Sequence, residues 1–382
     1  MKTKSPGIQH IRAPRTGPSA VISTLSGILP TCSRLTRVLP LGLTIGLTLA
    51  LAFGTTGSLR AQDPGFSQFF ASPLSLNPAL TGKFNGVLRV AGNYRNQWPT
   101  ISNAFITSTI SLDAPILRNK LPENDTWGLG VMAMSDKTAG GILNSNYLSL
   151  STAYHKALDE DGYNSLGVGF QGTYANRSLN GTELHFEDQL DLNGAWDLPS
   201  SESISNRYVS VNYFDAALGV LFNGSTGNNN YYVGASGYHL NRPKESFLGT
   251  DTISVPVRFT AHAGGYFPIT GTTSTIYLSG LYSNQAGAHE MVMGGAWAVN
   301  TNSDDQDPVN FYAGLWGRFS NVTDAVIPYI GLDYSNFSLG ISYDVNVSKL
   351  QSASQGVGGI EISLIYIKKA SDGHHGVPCP KF

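Results

Sequence analysis

Between residues 337 and 348 apolar and small polar side chains alternate without a break. Phe337, Leu339, Ile341, Tyr343, Val345 and Val347 oppose Ser338, Gly340, Ser342, Asp344, Asn346 and Ser348. Successive side chains of an extended strand point to opposite sides, so such a run separates an oily solvent from a wet one. Fourteen runs with this period are bounded by Gly, Asn, Asp and Pro turn chemistry. They span 87–95, 104–113, 126–134, 145–156, 163–175, 211–222, 230–239, 257–267, 274–283, 290–299, 309–319, 325–333, 336–347 and 359–368. Most approach the roughly nine to eleven residues that a tilted strand needs to cross a bilayer core. Tyr94, Trp127, Tyr154, Tyr174, Tyr231, Trp297, Tyr334 and Tyr366 fall near run ends, as an interfacial girdle requires. No helical pattern exceeds a few turns, which disfavours α/β enzyme folds.

Soluble sandwiches and propellers also combine many short strands with Gly-rich turns. No repeat of 40–50 residues supports a propeller. Connection lengths favour the membrane, because outer-membrane barrels pair short periplasmic turns with long outer loops. The fifth (176–210), seventh (240–256) and thirteenth (348–358) connections run to about 35, 17 and 11 residues, while the even-numbered ones stay at about twelve or fewer. The expected fold is therefore an all-β antiparallel transmembrane β-barrel of about 14 strands over 87–368. An even strand number places both N- and C-termini in the periplasm, with a periplasmic segment or plug at 62–86 and a periplasmic tail at 369–382.

Composition and charge refine this picture. Residues 1–61 carry Lys2, Lys4, Arg12, Arg15, Arg34, Arg37 and Arg60, no acidic residue, and an apolar run from Val38 to Phe53. That pattern describes a signal peptide, with cleavage expected between Ala61 and Gln62. Removing it takes seven of the 24 Lys and Arg and none of the 26 Asp and Glu, leaving 17 basic and 26 acidic side chains. An acidic chain without clustered cations argues against nucleic acid. Only 13% of residues are charged while Gly reaches 43, which suits a surface that is apolar outside and polar inside.

Candidate chemistry is sparse. His155, His185, His239, His262 and His289 have no accompanying nucleophile or metalloprotease motif. His374, His375 and Cys379 offer three zinc-ligand side chains in a Gly/Pro-rich tail, and Glu183, Glu187, Asp188 and Asp191 cluster without EF-hand order. Solvated tail and loop residues account for both. Gly128, Gly130, Gly167 and Gly169 lie inside strands, where small lumen-facing residues relieve crowding. The lumen side offers mostly Gly, Ser and Asn, without a charged ladder. No enzyme, cofactor or metal is expected.

Specific sequence begins at Gln62, with QDPGFSQFFASPLSLNPALTG running to Gly82. It continues with Asn93-Tyr94-Arg95-Asn96-Gln97-Trp98-Pro99, Tyr238-His239-Leu240-Asn241-Arg242-Pro243, Ser342-Tyr343-Asp344-Val345 and the ending Cys379-Pro380-Lys381-Phe382. Together these resemble the PorP/SprF family of outer-membrane proteins of type IX secretion and gliding machinery. The resemblance implies an outer-membrane component that helps to secrete or anchor surface proteins, gliding adhesins among them. Its partners would be the periplasmic ring lipoprotein, peptidoglycan-binding subunits and cargo bearing a C-terminal sorting domain. Expected partner-binding residues are Phe66, Phe69, Phe70, Asn77 and Pro78 in the opening motif, Asn241, Arg242 and Pro243, and Cys379, Pro380, Lys381 and Phe382. Pro64, Pro73 and Pro78 interrupt any regular ladder, so the opening segment is expected to run extended with its aromatics packed as a periplasmic-side plug. The alternative function is a passive porin or hydrophobic-solute channel.

Overall fold

The computed structural model describes residues 63–101, 105–118, 120–249, 253–302, 309–320 and 324–369. The expected leader (1–61) and the motif Cys379–Phe382 lie outside these residues. The strands are β1 (Leu88–Gln97), β2 (Phe105–Ile116), β3 (Thr126–Thr138), β4 (Leu143–Ala157), β5 (Ser165–Asn180), β6 (Tyr208–Thr226) and β7 (Asn229–Tyr238). They continue with β8 (Arg258–Pro268), β9 (Ser274–Gln285), β10 (Ala288–Asn302), β11 (Val309–Ser320), β12 (Ala325–Tyr334), β13 (Phe337–Asn346) and β14 (Val357–Lys368). Each pairs antiparallel with its sequence neighbours, and β14 closes on β1 from Leu88↔Lys368 to Gln97↔Gly359. Closure leaves no free edge along the barrel seam. All fourteen expected runs are strands. The main difference is length: β5 and β6 extend to Asn180 and back from Tyr208, so the fifth connection shrinks to 181–207. There the outward face changes from Tyr174 and Phe214 to Asn176, Ser178, Asn212 and Ser210, so the oily period ends although pairing continues.

Alternation sets the wall. In β5 the outward Leu166, Val168 and Phe170 are about half exposed, while the inward Gln171 is buried. Among the described residues no helix is long and apolar enough to cross a membrane; the crossing is made by strands whose outer surface is hydrocarbon-like.

The lumen is occupied by residues 63–86. Asp63 lies at the rim that carries the odd-numbered connections, where its N–H donates to Gln285 Oε1 at the end of β9 (2.8 Å). At the opposite rim Lys83 Nζ donates to Ser165 Oγ at the start of β5 (3.0 Å), and Val87 N–H donates to Lys368 O. The segment thus runs through the barrel, and the described chain ends, Asp63 and Lys369, lie at opposite rims. This corrects the expectation of a plug on one side with both tails beside it. Strand parity fixes where β1 begins and β14 ends, but not the course of the residues before β1. The path is not extended either: Pro73 and Pro78 open short helical turns, Pro73–Leu76 and Pro78–Leu80, where a missing N–H and a fixed φ are favourable. Two wall glycines make room for it. A side chain at Gly128 would collide with the Thr81 carbonyl, and one at Gly169 with the Pro78–Ala79 peptide.

Candidate functional site

Three features of the barrel interior and rim bear on function. The first is a charge-bearing clamp on the motif Phe66-Ser67-Gln68-Phe69. The carboxylate of Glu361 on β14 accepts from Ser67 N–H (2.7 Å) and Gln68 N–H (2.9 Å) through its two oxygens. Asp344 on β13 accepts from Ser67 Oγ (2.8 Å) and forms ion pairs with Arg318 of β11 (2.7 Å) and Arg95 of β1 (3.1 Å). Arg318 also donates to Ser67 Oγ, and Arg95 to the Gly65 carbonyl. Gln68 completes the set: its amide donates to Ser342 Oγ (3.0 Å) and accepts from Ser363 Oγ (2.7 Å). Buried ions need such partners, and these are paired with one another across the wall as well as hydrogen-bonded to the segment. The absence of a charged ladder, read from the sequence, is corrected here. Arg95, Arg318, Asp344 and Glu361 each occupy an inward phase, and only the closed barrel brings them together.

Deeper in the lumen, Asn77 is fully buried. Its Oδ1 accepts from Ala79 N–H (2.8 Å), which fixes the amide orientation. Nδ2 then donates to the Val220 carbonyl (3.0 Å) and to His262 Nε2 (2.9 Å). His262, near the middle of β8, is therefore a lumen partner of the segment. Phe70 packs on Trp316 and Tyr329 at ring separations of 5.3 and 5.7 Å. Arg89 makes a bidentate pair with Asp113 (2.9 and 2.8 Å), whose Oδ2 also accepts from Gly82 N–H.

The third feature is the odd-connection rim. His239, with φ +58°, stands between Asp63 (Nε2–Oδ2 2.7 Å) and Asp215 (Nδ1–Oδ1 3.1 Å), and Arg258 pairs with Asp63 at 3.3 Å. Burial disfavours the imidazolium, yet the flanking carboxylates Asp215 and Asp63 outweigh it and push the His239 pKa up to about 9. Burial also opposes ionisation of Asp63, but Arg258 and His239 hold its carboxyl well below the usual range. Above the clamp a cavity of about 1040 Å³ opens at this rim, lined by Phe66, Trp98, Tyr147, Arg177, Tyr213 and Glu245 among others. The seventh connection folds over it: Glu245 pairs with Arg177, and Val255 packs with Ala175, Tyr213 and Tyr147.

The expected partner-binding residues divide. Phe66, Phe69, Asn77 and Pro78 are buried in the lumen and Phe70 is half-buried there, so the surface they were expected to offer is used by the barrel itself. Asn241 and Arg242 are exposed, while Pro243 is buried. Asn241 acts as a false strand: its Oδ1 accepts from Ala216 N–H (3.1 Å) and its Nδ2 donates to Phe214 O (2.7 Å). His155 is buried under the Thr81 carbonyl, a packing role. No cluster of metal-ligating residues occurs among the described residues.

Solved structures similar to this chain are outer-membrane barrels. A BamA from Haemophilus ducreyi lacking POTRA domains 1–3 shares 11% identity over 74% of this chain and 70% of its own, at a TM-score of 0.39. A Pseudomonas aeruginosa FadL homologue shares 12% over 81% and 95%, at 0.41. The β domain of the Bordetella autotransporter BrkA shares 14% over 74% and 98%, at 0.32. No curated protein matches the sequence significantly. The family model described as type IX secretion system membrane protein PorP/SprF matches residues 58–366, spanning the lumen segment and nearly all of the barrel. The chain belongs to the PorP/SprF family of type IX secretion system membrane proteins and is an outer-membrane β-barrel of that system.

Proposed function

We propose that this barrel serves type IX secretion as a non-enzymatic anchor that binds partners on both sides of the outer membrane, rather than as a conduit. The observation that carries the reading is the lumen segment, hydrogen-bonded to Glu361 of β14, Asp344 of β13, Arg318 of β11 and Arg95 of β1, among which Asp344 is ion-paired with both arginines. A pore for solutes gains nothing from such a stopper, whereas an anchor gains a rigid wall. The long fifth and seventh connections favour the odd-connection rim as the outer face, where the cavity and exposed loops suit secreted or surface-anchored cargo bearing a C-terminal sorting domain. Lys369 then lies at the periplasmic rim, and Cys379–Phe382 would dock the ring lipoprotein and peptidoglycan-binding subunits.

Two measurements test this. Removing residues 370–382 is expected to leave the heat-modifiable gel shift intact and abolish co-purification with the ring; retained co-purification refutes the tail assignment. A deletion strain is expected to lose surface adhesin while outer-membrane permeability stays normal. Solute-discriminating flux through the reconstituted barrel would favour the channel instead.

A further inference from the structure

We infer that the upper edge of β6, at Tyr208, Ser210 and Asn212, is a β-addition site for an extended strand of a partner protein. The inference rests on the anchor reading only for the partner's biological identity. β5 accompanies β6 up to Asn180↔Tyr208, but β7 joins it only from Leu218↔Gly237 onward. The gap arises locally. After Tyr238 the chain turns at His239 and Arg242, both with positive φ, and heads over the lumen. Leu240 N–H and the Asn241 side chain satisfy Ala216 and Phe214, and coverage of the β6 edge ends there.

Ladder parity identifies the free groups. Gly181 N–H donates to Arg207 O, so odd-numbered residues of β6 turn their backbone groups toward β5. Tyr208, Ser210 and Asn212 therefore present three N–H and three C=O groups to the other side. Among the described residues no strand pairs with them. The usual protections of an edge are missing too: Tyr208-Val209-Ser210-Val211-Asn212 holds no proline and no charge, and its two valines favour strand.

The edge stands in water. Outward positions of this arm are Ser135, Lys137, Asn144, Asn146, Asn176, Ser178, Tyr208 and Ser210, which line one polar hollow above the Tyr174–Phe214 aromatic pair. A second copy does not fit. Strands tilted about 35–45° and related by an axis along the bilayer normal cross at roughly 70–90°, so two such edges cannot form a ladder within one membrane. The other edge of β6 is already taken by β5.

The occupant is a neutral strand of about five residues from a partner that also presents basic and apolar side chains. The connection crowning the arm, 181–207, carries Glu183, Glu187, Asp188, Asp191, Asp197 and Glu202 against Arg207. It also exposes Leu190, Leu192, Trp196 and Leu198. Main-chain bonds would supply affinity and the flanking charge would supply selection.

The test uses the purified full chain in nanodiscs and a defined peptide, Lys-Lys-Thr-Val-Thr-Val-Thr-Lys-Lys. A second peptide differs only by N-methylation of alternate residues on its pairing edge. Wild-type protein is expected to bind the first at least tenfold more tightly than the second, with slowed amide exchange at Ser210 and Asn212. Ser210→Pro is expected to lose at least tenfold while keeping the heat-modifiable shift. Should that variant fail to fold, the methylated peptide and the exchange data decide on wild-type protein alone. Equal binding of both peptides, or no protection at Ser210 and Asn212, overturns the inference. Normal export in a strain carrying Ser210→Pro, with the peptide result intact, supports the edge and counts against the anchor reading only.

Discussion

The two faces of β14 differ in more than polarity. Outward, Ile360, Ile362 and Leu364 are each more than 40% exposed and ask only for a hydrocarbon environment. Inward, Glu361 and Ser363 are buried and tied to named atoms of Ser67 and Gln68, nearly three hundred residues earlier in the chain. The lipid face is a solvent match with no assigned partner, so one apolar residue serves as well as another. The lumen face is a set of specific bonds to one segment of the chain.

That contrast yields graded outcomes. Glu361→Ala strips the acceptor from two buried N–H groups and leaves Arg95 short of a counter-charge. Losing one partner of a buried charged network costs about 3–5 kcal/mol. The loss is read as a lower denaturant midpoint for the heat-modifiable shift, and an unchanged midpoint would show that the clamp contributes nothing. Leu150→Arg, on the lipid face near the middle of β4, is expected to cost about 2–4 kcal/mol through the bilayer alone. That penalty should disappear in an outward position of the polar arm such as Asn176→Arg, measured the same way.

The rim anchor adds a pH dependence. The pKa of His239 is raised when folded, so its contribution is complete below its unfolded value of about 6.5 and fades as pH climbs through about 9. Asp63 has the opposite sign: its folded pKa is depressed, so its contribution is present above the unfolded carboxylate value and is lost in acid. Proteolytic release of the segment's first residues should therefore be slowest near neutrality and speed up on both sides. His239→Gln should flatten the alkaline limb and reduce the acid limb to the part that Arg258 and Gln285 sustain. The smallest effect belongs to Leu364→Ile, a volume-conserving change on the lipid face, at under about 1.5 kcal/mol in the same unfolding measurement.

How far the sequence could be read follows the same division. Period-two alternation marked every strand, because a lipid-facing wall leaves its imprint locally, residue by residue. It stopped short on β5 and β6, where Asn176, Ser178, Ser210 and Asn212 put polar groups on both faces above the bilayer. The clamp was invisible to it: Arg95, Arg318, Asp344 and Glu361 come from four strands and meet only on closure. A signal was present nonetheless, since each is a charge on the inward phase of a strand in a chain with few charges. The course of residues 63–86 was missed because prolines were read as breakers of a ladder. Pro73 and Pro78 begin helical turns instead, which bring Asn77 to His262 and Thr81 to Ser151 inside the barrel.

Ion conductance of the purified full chain in a planar bilayer tests most directly whether the barrel is stoppered by its own opening segment. Silence from the wild type, with open-pore steps after Glu361→Ala or after excision of residues 63–82, is the predicted result. Steady conductance of the wild-type barrel, unchanged by either alteration, would contradict it.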